Sequence, residues 1–272
     1  MEKQHDYTLL ISSCEAYSDL WEGTLTLLAR NWPDRRGRAV LVTDRETERK
    51  FSGIEIFAAG ADTPFTHRLR AAVETVETEY VLLMLDDYFL TESVREEGIH
   101  RGIEVMERFQ LDYLRLYPRP ASCLRREGAR PCDGYPGYYV RNLGARDYLI
   151  SLYPGLWRRE FLLATLEKPL DPWQYEVALT AMAREMDARC GISCNGELPF
   201  LDVIRKGKLL HKAKRYLERE AVCIINRPVV PLRTEWSLAV RTWLRRRLPR
   251  PILTAIKRLF RKFGFQFYSG EE

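Results

Sequence analysis

Four short apolar runs early in the chain, YTLLISSC (7–14), RAVLVTD (38–44), GIEIFAAG (53–60) and YVLLML (80–85), constrain the fold most. Runs of this length, bounded by polar or turn residues, read as strands buried on both faces. Between the first two, Leu20, Trp21, Leu25, Leu28 and Trp32 recur near helical spacing, with Ser18 or Asp19 as N-cap and Pro33 as the stop. THRLRAAVETVETE (66–79) predicts a helix capped by Thr66, TESVREEGIHRGIEVMERF (91–109) another, and LDYLRLYP (111–118) a further strand. Strands alternating with helices at this pace imply an α/β fold with a mostly parallel, doubly wound sheet. Ligands of such sheets bind at the carboxyl ends of the strands, where SSC follows the first run and DDY the fourth.

From 117 to 147 the pattern gives way to a segment crowded with Pro, Gly, Arg and Tyr. It is expected to be a long loop region with one strand at GYYVRN. WRREFLLATLEK and DPWQYEVALTAMAREMD then predict two helices, the second with Asp171 as N-cap and Pro172 at its first position. The 272 residues, 46% hydrophobic and 30% charged, suffice for one large domain with an appendage. No basic-then-apolar leader is visible at the start, and no apolar run reaches the roughly 18 to 20 residues of a spanning helix. A cytoplasmic protein is therefore expected. The six cysteines fit reduced thiols, since CGISC (190–194) has no second Cys/His pair with ligand spacing nearby.

EYVLLMLDDYFLTES (79–93) drives an apolar strand into two adjacent carboxylates, Asp86 and Asp87. One reading makes them a helix cap and a solvated turn residue. The other makes them metal ligands, because hard divalent cations such as Mg²⁺ or Mn²⁺ take one or two carboxylates plus substrate phosphates. A strand end is rigid enough to hold them accurately.

LLISSCEAYSDLWEGTLTLLARNWP, VLVTD, EYVLLMLDDYFL and SLYPGLWRREFLLATLEKPLDPWQYE, in that order over roughly residues 7 to 215, resemble bacterial glycosyltransferases of the GT-A fold. The likeness is to those that build lipopolysaccharide O-antigen or capsule. It implies a catalytic domain over 1–230 that transfers a sugar, with inversion, from a nucleotide-diphosphate donor such as a UDP-sugar to a lipid-linked or polysaccharide acceptor. In that family an Asp-x-Asp signature holds the metal and the donor; here the pair is adjacent and Tyr88 takes the third position. The resemblance implies Asp87 as metal ligand, Asp86 as ligand or ribose partner, and Mn²⁺ or Mg²⁺ as cofactor. Glu176 is implied as the base that deprotonates the acceptor; otherwise it is an ordinary first-turn glutamate favoured by the helix dipole. Trp157, Trp173 and Tyr175 are candidates for the acceptor sugar, or core residues. Ser12, Ser13 and Asp44 would meet the nucleotide or simply turn the chain; Arg68 and Arg70 would reach it or lie on a solvated helix face. RKGKLLHK (205–212) suits a mobile loop closing over the diphosphate through Lys206 and Lys208, with His211 as an additional metal ligand.

The net charge of +5 is unevenly spread. Residues 233–272 hold ten Lys/Arg against three Glu, whereas the other 232 hold 33 basic and 35 acidic side chains. Within 231–272, Ile252, Ile256, Leu259, Phe260 and Phe263 share one helical face rimmed by Lys257, Arg258, Arg261 and Lys262. A basic amphipathic tail is expected there, with 236–263 lying on an anionic bilayer or packing back on the catalytic domain. This would make the protein peripheral to the inner face of the cytoplasmic membrane. The competing class is a metal-dependent nuclease or nucleic-acid-binding protein using the basic tail. A net-acidic body and the lack of a helix-turn-helix, zinc-finger or RNA-binding signature count against it, so no nucleic-acid partner is expected.

Overall fold

The computed structural model describes residues 7–145, 148–222 and 225–235. β1 (Tyr7–Ser12) leads through a 3₁₀ turn (Glu15–Tyr17) into α1 (Trp21–Asn31). β2 (Arg38–Thr43), β3 (Glu55–Ala58), α2 (Phe65–Glu74), β4 (Tyr80–Leu85), β5 (Tyr88–Leu90) and α3 (Glu96–Arg108) follow. Next come β6 (Tyr113–Arg115), α4 (Ala121–Arg126), β7 (Arg130–Pro131), β8 (Tyr138–Val140), β9 (Gly155–Arg158), α5 (Arg159–Thr165) and α6 (Pro172–Glu185). β10 (Cys190–Ser193), β11 (Phe200–Asp202), β12 (Ile204–Arg205), β13 (Lys208–Leu209) and α7 (His211–Glu220) complete the order.

Among the described residues, nine strands form one sheet in the order β3-β2-β1-β4-β9-β6-β10-β8-β7, and β9 and β8 run against the rest. The expected α/β fold, a mostly parallel sheet flanked by helices, is present. The near-continuous apolar strands follow from burial on both faces. Along β4, Tyr80, Leu82 and Met84 pack with Trp21 and Leu25 of α1 and Ile99 and Ile103 of α3. Val81 and Leu83, alternating with them, pack with Leu69 of α2, Leu162 of α5 and Leu179 of α6. A third cluster joins Leu20 and Leu27 to Phe89, Val203, Leu209 and Leu217. β1 feeds β2 on one side and pairs with β4 on the other, so the carboxyl ends of β1 and β4 border the point where strand order reverses.

Several local expectations give way to longer-range contacts. α1 starts with Leu20 in the cap position, because Ser18 is already bonded to Glu15 in the 3₁₀ turn. Pro64, not Thr66, precedes α2, and the Thr66 hydroxyl donates instead to the Lys168 carbonyl at 2.6 Å. The helix expected from 91 begins at Glu96, since the chain just before it forms β5 against β11 and Val94 N–H donates to Asn31 O at 2.7 Å. The segment 205–212 is a tight hairpin followed by α7; Lys206 and Gly207 both take positive φ, 50° and 73°, as a two-residue turn demands. The long loop region carries α4, β7 and β8. No helix among the described residues is long and apolar enough to cross a membrane. The tail face at 236–263 and Cys223 lie outside the described residues.

Candidate functional site

β4 ends at Leu85, and the next two residues turn the chain into β5. Asp86 is buried at 5% exposure and tied on all sides. Its N–H donates to Ser12 O at 3.2 Å, its carbonyl accepts from Thr24 Oγ1 at 2.5 Å, and its carboxylate accepts from Ser13 Oγ. Trp21 Nε1 donates to the same serine oxygen at 2.6 Å, so α1 fixes Ser13 and Ser13 fixes Asp86. Burial lifts the Asp86 carboxyl from 3.8 to about 7, against the opposing pull of the Ser13 hydrogen bond and the Arg227 charge.

Asp87 is treated differently. Its Oδ1 is buried and has no hydrogen-bond partner. Burial, then the charges of Asp86 and Asp202, push its carboxyl well above the ordinary range. Asp202 ends β11, where it pairs with Tyr88 of β5, and Val203 N–H bonds Asp87 O at 3.0 Å. Burial raises the Asp202 carboxyl too, opposed by Lys212 and Arg205. Asp202 thus acts on Asp87 from the neighbouring strand of a two-stranded ribbon. Among the described residues, no three His, Cys, Asp or Glu side chains stand close enough to hold a metal ion by themselves. His211 opens α7, its N–H bonded to Glu235, and does not complete such a group with the Asp pair.

Beyond Asp87 an aromatic floor extends along the strand ends. Tyr88 packs on Phe200 at 4.7 Å and stacks on Tyr153 at 5.7 Å, and Tyr153 stacks on Tyr117 at 4.4 Å and 9°. Glu176 lies in α6, whose start is fixed by the expected Asp171 cap and a reciprocal bond from Asp171 N–H to Gln174. One Glu176 oxygen accepts from Leu152 N–H at 3.2 Å. Burial raises its carboxyl above the ordinary range, opposed by that bond and by Arg115. Its charge reaches Tyr88 and Tyr153, which ties it to the same floor as Asp87 and Asp202.

The remaining candidates divide. Ser12, with a buried unpartnered hydroxyl, and Ser13 end β1 beside Asp86. Asp44 ends β2 and accepts from Glu15 N–H at 2.7 Å. Arg68 is buried, its Nε unpartnered, and its charge acts on Asp44 and Cys14. Arg70 points elsewhere: it pairs with Glu74 at 2.9 Å and donates to Leu163 O, so it does not join the site. Lys206 and Lys208 are exposed on the β12–β13 hairpin, while Arg205 and Lys212 are the cations acting on Asp202. Trp173 is 67% exposed at the start of α6. Trp157 and Tyr175, both at 0% exposure, cannot meet an acceptor. Trp157 belongs to the central strand β9, packed on Tyr113 and Phe161, and Tyr175 OH shares a 2.7 Å hydrogen bond with Thr165 inside the core.

Sequence reasoning missed Asp202, Arg115, Arg227 and the tyrosine floor. Arg227 grips Asp19 with two bonds of 2.6 and 2.7 Å, lies on Tyr17 and lowers both Asp86 and Asp87, yet in INRPVV it has no pattern to announce it. A cavity of about 460 Å³ lies at the opposite, amino edge of the sheet, lined by Tyr7, Arg36, Arg38 and His100 among others. Desolvated carboxylates that lack partners mark a site better than an empty volume does.

No protein-family model and no curated protein matches the chain. Among solved structures, residues 1–349 of S. aureus TarS align at 14% identity over 70% of this chain and 58% of that one, with a TM-score of 0.48. The mannosyltransferase PcManGT from Pyrobaculum calidifontis, solved with GDP-Man and Mn²⁺, aligns at 12% over 74% and 58%, TM-score 0.49. The bifunctional IspDF from Campylobacter jejuni aligns at 13% over 72% and 52%, TM-score 0.42. The chain spans a little over half the length of these three structures. Likeness at this level assigns neither activity nor ligand to it.

Proposed function

We propose that the chain is a GT-A-like glycosyltransferase. It moves a sugar from a nucleoside-diphosphate donor, a UDP-sugar in the first instance, to a glycan or lipid-linked acceptor in cell-surface glycan synthesis of the O-antigen or capsule type. The observation that carries this reading is Asp87 Oδ1, a buried carboxylate oxygen without a partner at the carboxyl end of β4. An orphaned oxygen of this kind calls for a cation or a proton. One or two carboxylates plus phosphate oxygens is the usual protein share of a Mg²⁺ or Mn²⁺ site, so the residues fit the ion. Asp87 would hold it, and when bound it supplies charge neutralisation for the departing nucleoside diphosphate.

The chain's own residues do the rest. Asp86, locked by Ser13, positions Asp87. Ser12, Asp44 and Arg68 border the nucleotide end, and Arg205, Lys206, Lys208 and Lys212 flank the diphosphate. Trp173, exposed at the rim, offers a face on which a sugar ring stacks. Glu176 takes the proton of the acceptor hydroxyl as that oxygen bonds to the anomeric carbon. The bond from that carbon to the diphosphate breaks in the same displacement, so the configuration inverts. Residues 236–263 hold the enzyme on the cytoplasmic membrane surface, close to lipid-linked acceptors.

A donor-hydrolysis and transfer screen across nucleotide sugars, with Mn²⁺ or Mg²⁺, tests this. Glu176→Gln is expected to lower transfer by about 10²- to 10⁴-fold while leaving donor affinity unchanged. A base works only when ionised, so transfer by the native enzyme rises with pH through the raised Glu176 pKa. An acid limb of the profile that survives in Glu176→Gln contradicts the assignment. Cleavage of DNA with no turnover of any nucleotide sugar favours the nuclease instead.

A further inference from the structure

Arg115 is the last residue of β6 and shares with Tyr113 the sheet face covered by α6. It is 7% exposed, and its Nε is buried without a hydrogen-bond partner. Among the described residues it forms no ion pair. It rests instead on two rings of the aromatic floor, 4.5 Å from the Tyr153 centroid and 5.2 Å from that of Tyr117. Among the described residues Glu176 is the carboxylate on which its charge acts, and the two form no ion pair. Arg119 and the buried Arg141 share the single carboxylate of Glu127, at 2.8 Å and 3.4 Å. Burial, followed by the charges of Arg115 and Arg119, lowers Arg141 to about 10, so three guanidiniums crowd one acid. A buried cation without a directly paired anion is costly, and cation–π contact offsets only part of that cost.

Resting on the glycosyltransferase reading, we infer that Arg115, lying over the rings of Tyr117 and Tyr153, seats an anionic group, phosphoryl or carboxylate, carried by the acceptor. The guanidinium fork matches such a group with two parallel hydrogen bonds. The acceptor side follows from the neighbours: Arg115 is the cation that acts on Glu176, whereas the cation acting on Asp86 and Asp87 is Arg227. The acceptor hydroxyl delivered to Glu176 therefore belongs to a molecule that also carries a negative charge.

The test titrates the full chain with inorganic phosphate and with glucuronate at fixed ionic strength, using chloride and glucose as controls, and reads the melting temperature. Both anions are expected to raise it in the native protein and in Arg125→Met, an exposed arginine of the same region, and chloride and glucose are not. Arg115→Met is expected to weaken phosphate binding at least about tenfold, and Arg115→Lys to weaken it while keeping the charge. Without anion, Arg115→Met is expected to melt no lower than the native protein, because an apolar side chain of similar volume replaces an unpaired charge. A purely structural arginine would give the reverse: a lower melting temperature and an unchanged phosphate response. The inference is also overturned if neither anion acts beyond chloride, or if saturating UDP with Mn²⁺ abolishes the phosphate response, which would give the seat to the donor. Phosphate binding that persists while no nucleotide sugar binds would leave the seat standing and remove the transferase.

Discussion

Asp86 and Asp87 carry the same side chain and meet opposite fates. Ser13, Thr24 and the backbone of Ser12 take up Asp86, while Asp87 keeps a buried oxygen unmatched. With its carboxyl raised to about 7, Asp86 holds a proton in the folded chain that the unfolded chain has already released near 4. The folded state therefore binds more protons between these values, and stability of the metal-free protein should fall as pH rises from about 4 to 7. Denaturant titrations in EDTA are expected to show this decline, and Asp86→Asn to make it shallower, the raised Asp87, Asp202 and Glu176 carboxyls supplying the rest; an equal slope in the variant would contradict the assignment. The doubled acid was plain in the sequence. Which member is clamped and which is open was not, because that depends on Trp21 and Ser13 meeting across the end of β1.

β9 shows where local pattern fails at the scale of the element. WRREFLLATLEK reads as one helix, yet Gly155–Arg158 form an antiparallel strand between β4 and β6 before α5 begins. Four apolar-rich residues have no periodicity of their own, and pairing on both edges decides their state. The outcome moves Trp157 from a sugar-binding surface to the core. Trp157→Ala is expected to cost about 3 to 5 kcal/mol in denaturant unfolding, whereas Trp173→Ala, at an exposed position, should stay within about 0.5 kcal/mol. Equal effects would put Trp157 back on the surface. By contrast the start of α6 was legible to the residue, since Asp171 and Pro172 write it in adjacent positions.

Across the whole molecule, the order of apolar runs foretold the parallel half of the sheet and the location of SSC and DDY at its carboxyl edge. The site also draws on Arg115, Tyr153, Glu176, Asp202 and Arg227, which only folding gathers, and no spacing rule links them to Asp87. The tail is a separate matter of composition. Full-length chain is expected to co-sediment with vesicles containing anionic lipid and to be released by high salt, and binding to neutral vesicles of equal strength would contradict an electrostatic anchor. The central claim is that Asp87 grips a cation opposite a departing diphosphate, and the melting temperature with UDP and Mn²⁺, together and singly, tests it most directly. Together, at about a hundred times Kd, they should stabilise the native protein by about 2.7 kcal/mol, roughly 5 to 10 °C, and neither alone should do so; Asp87→Ala should erase the shift. The same shift in Asp87→Ala would contradict the account.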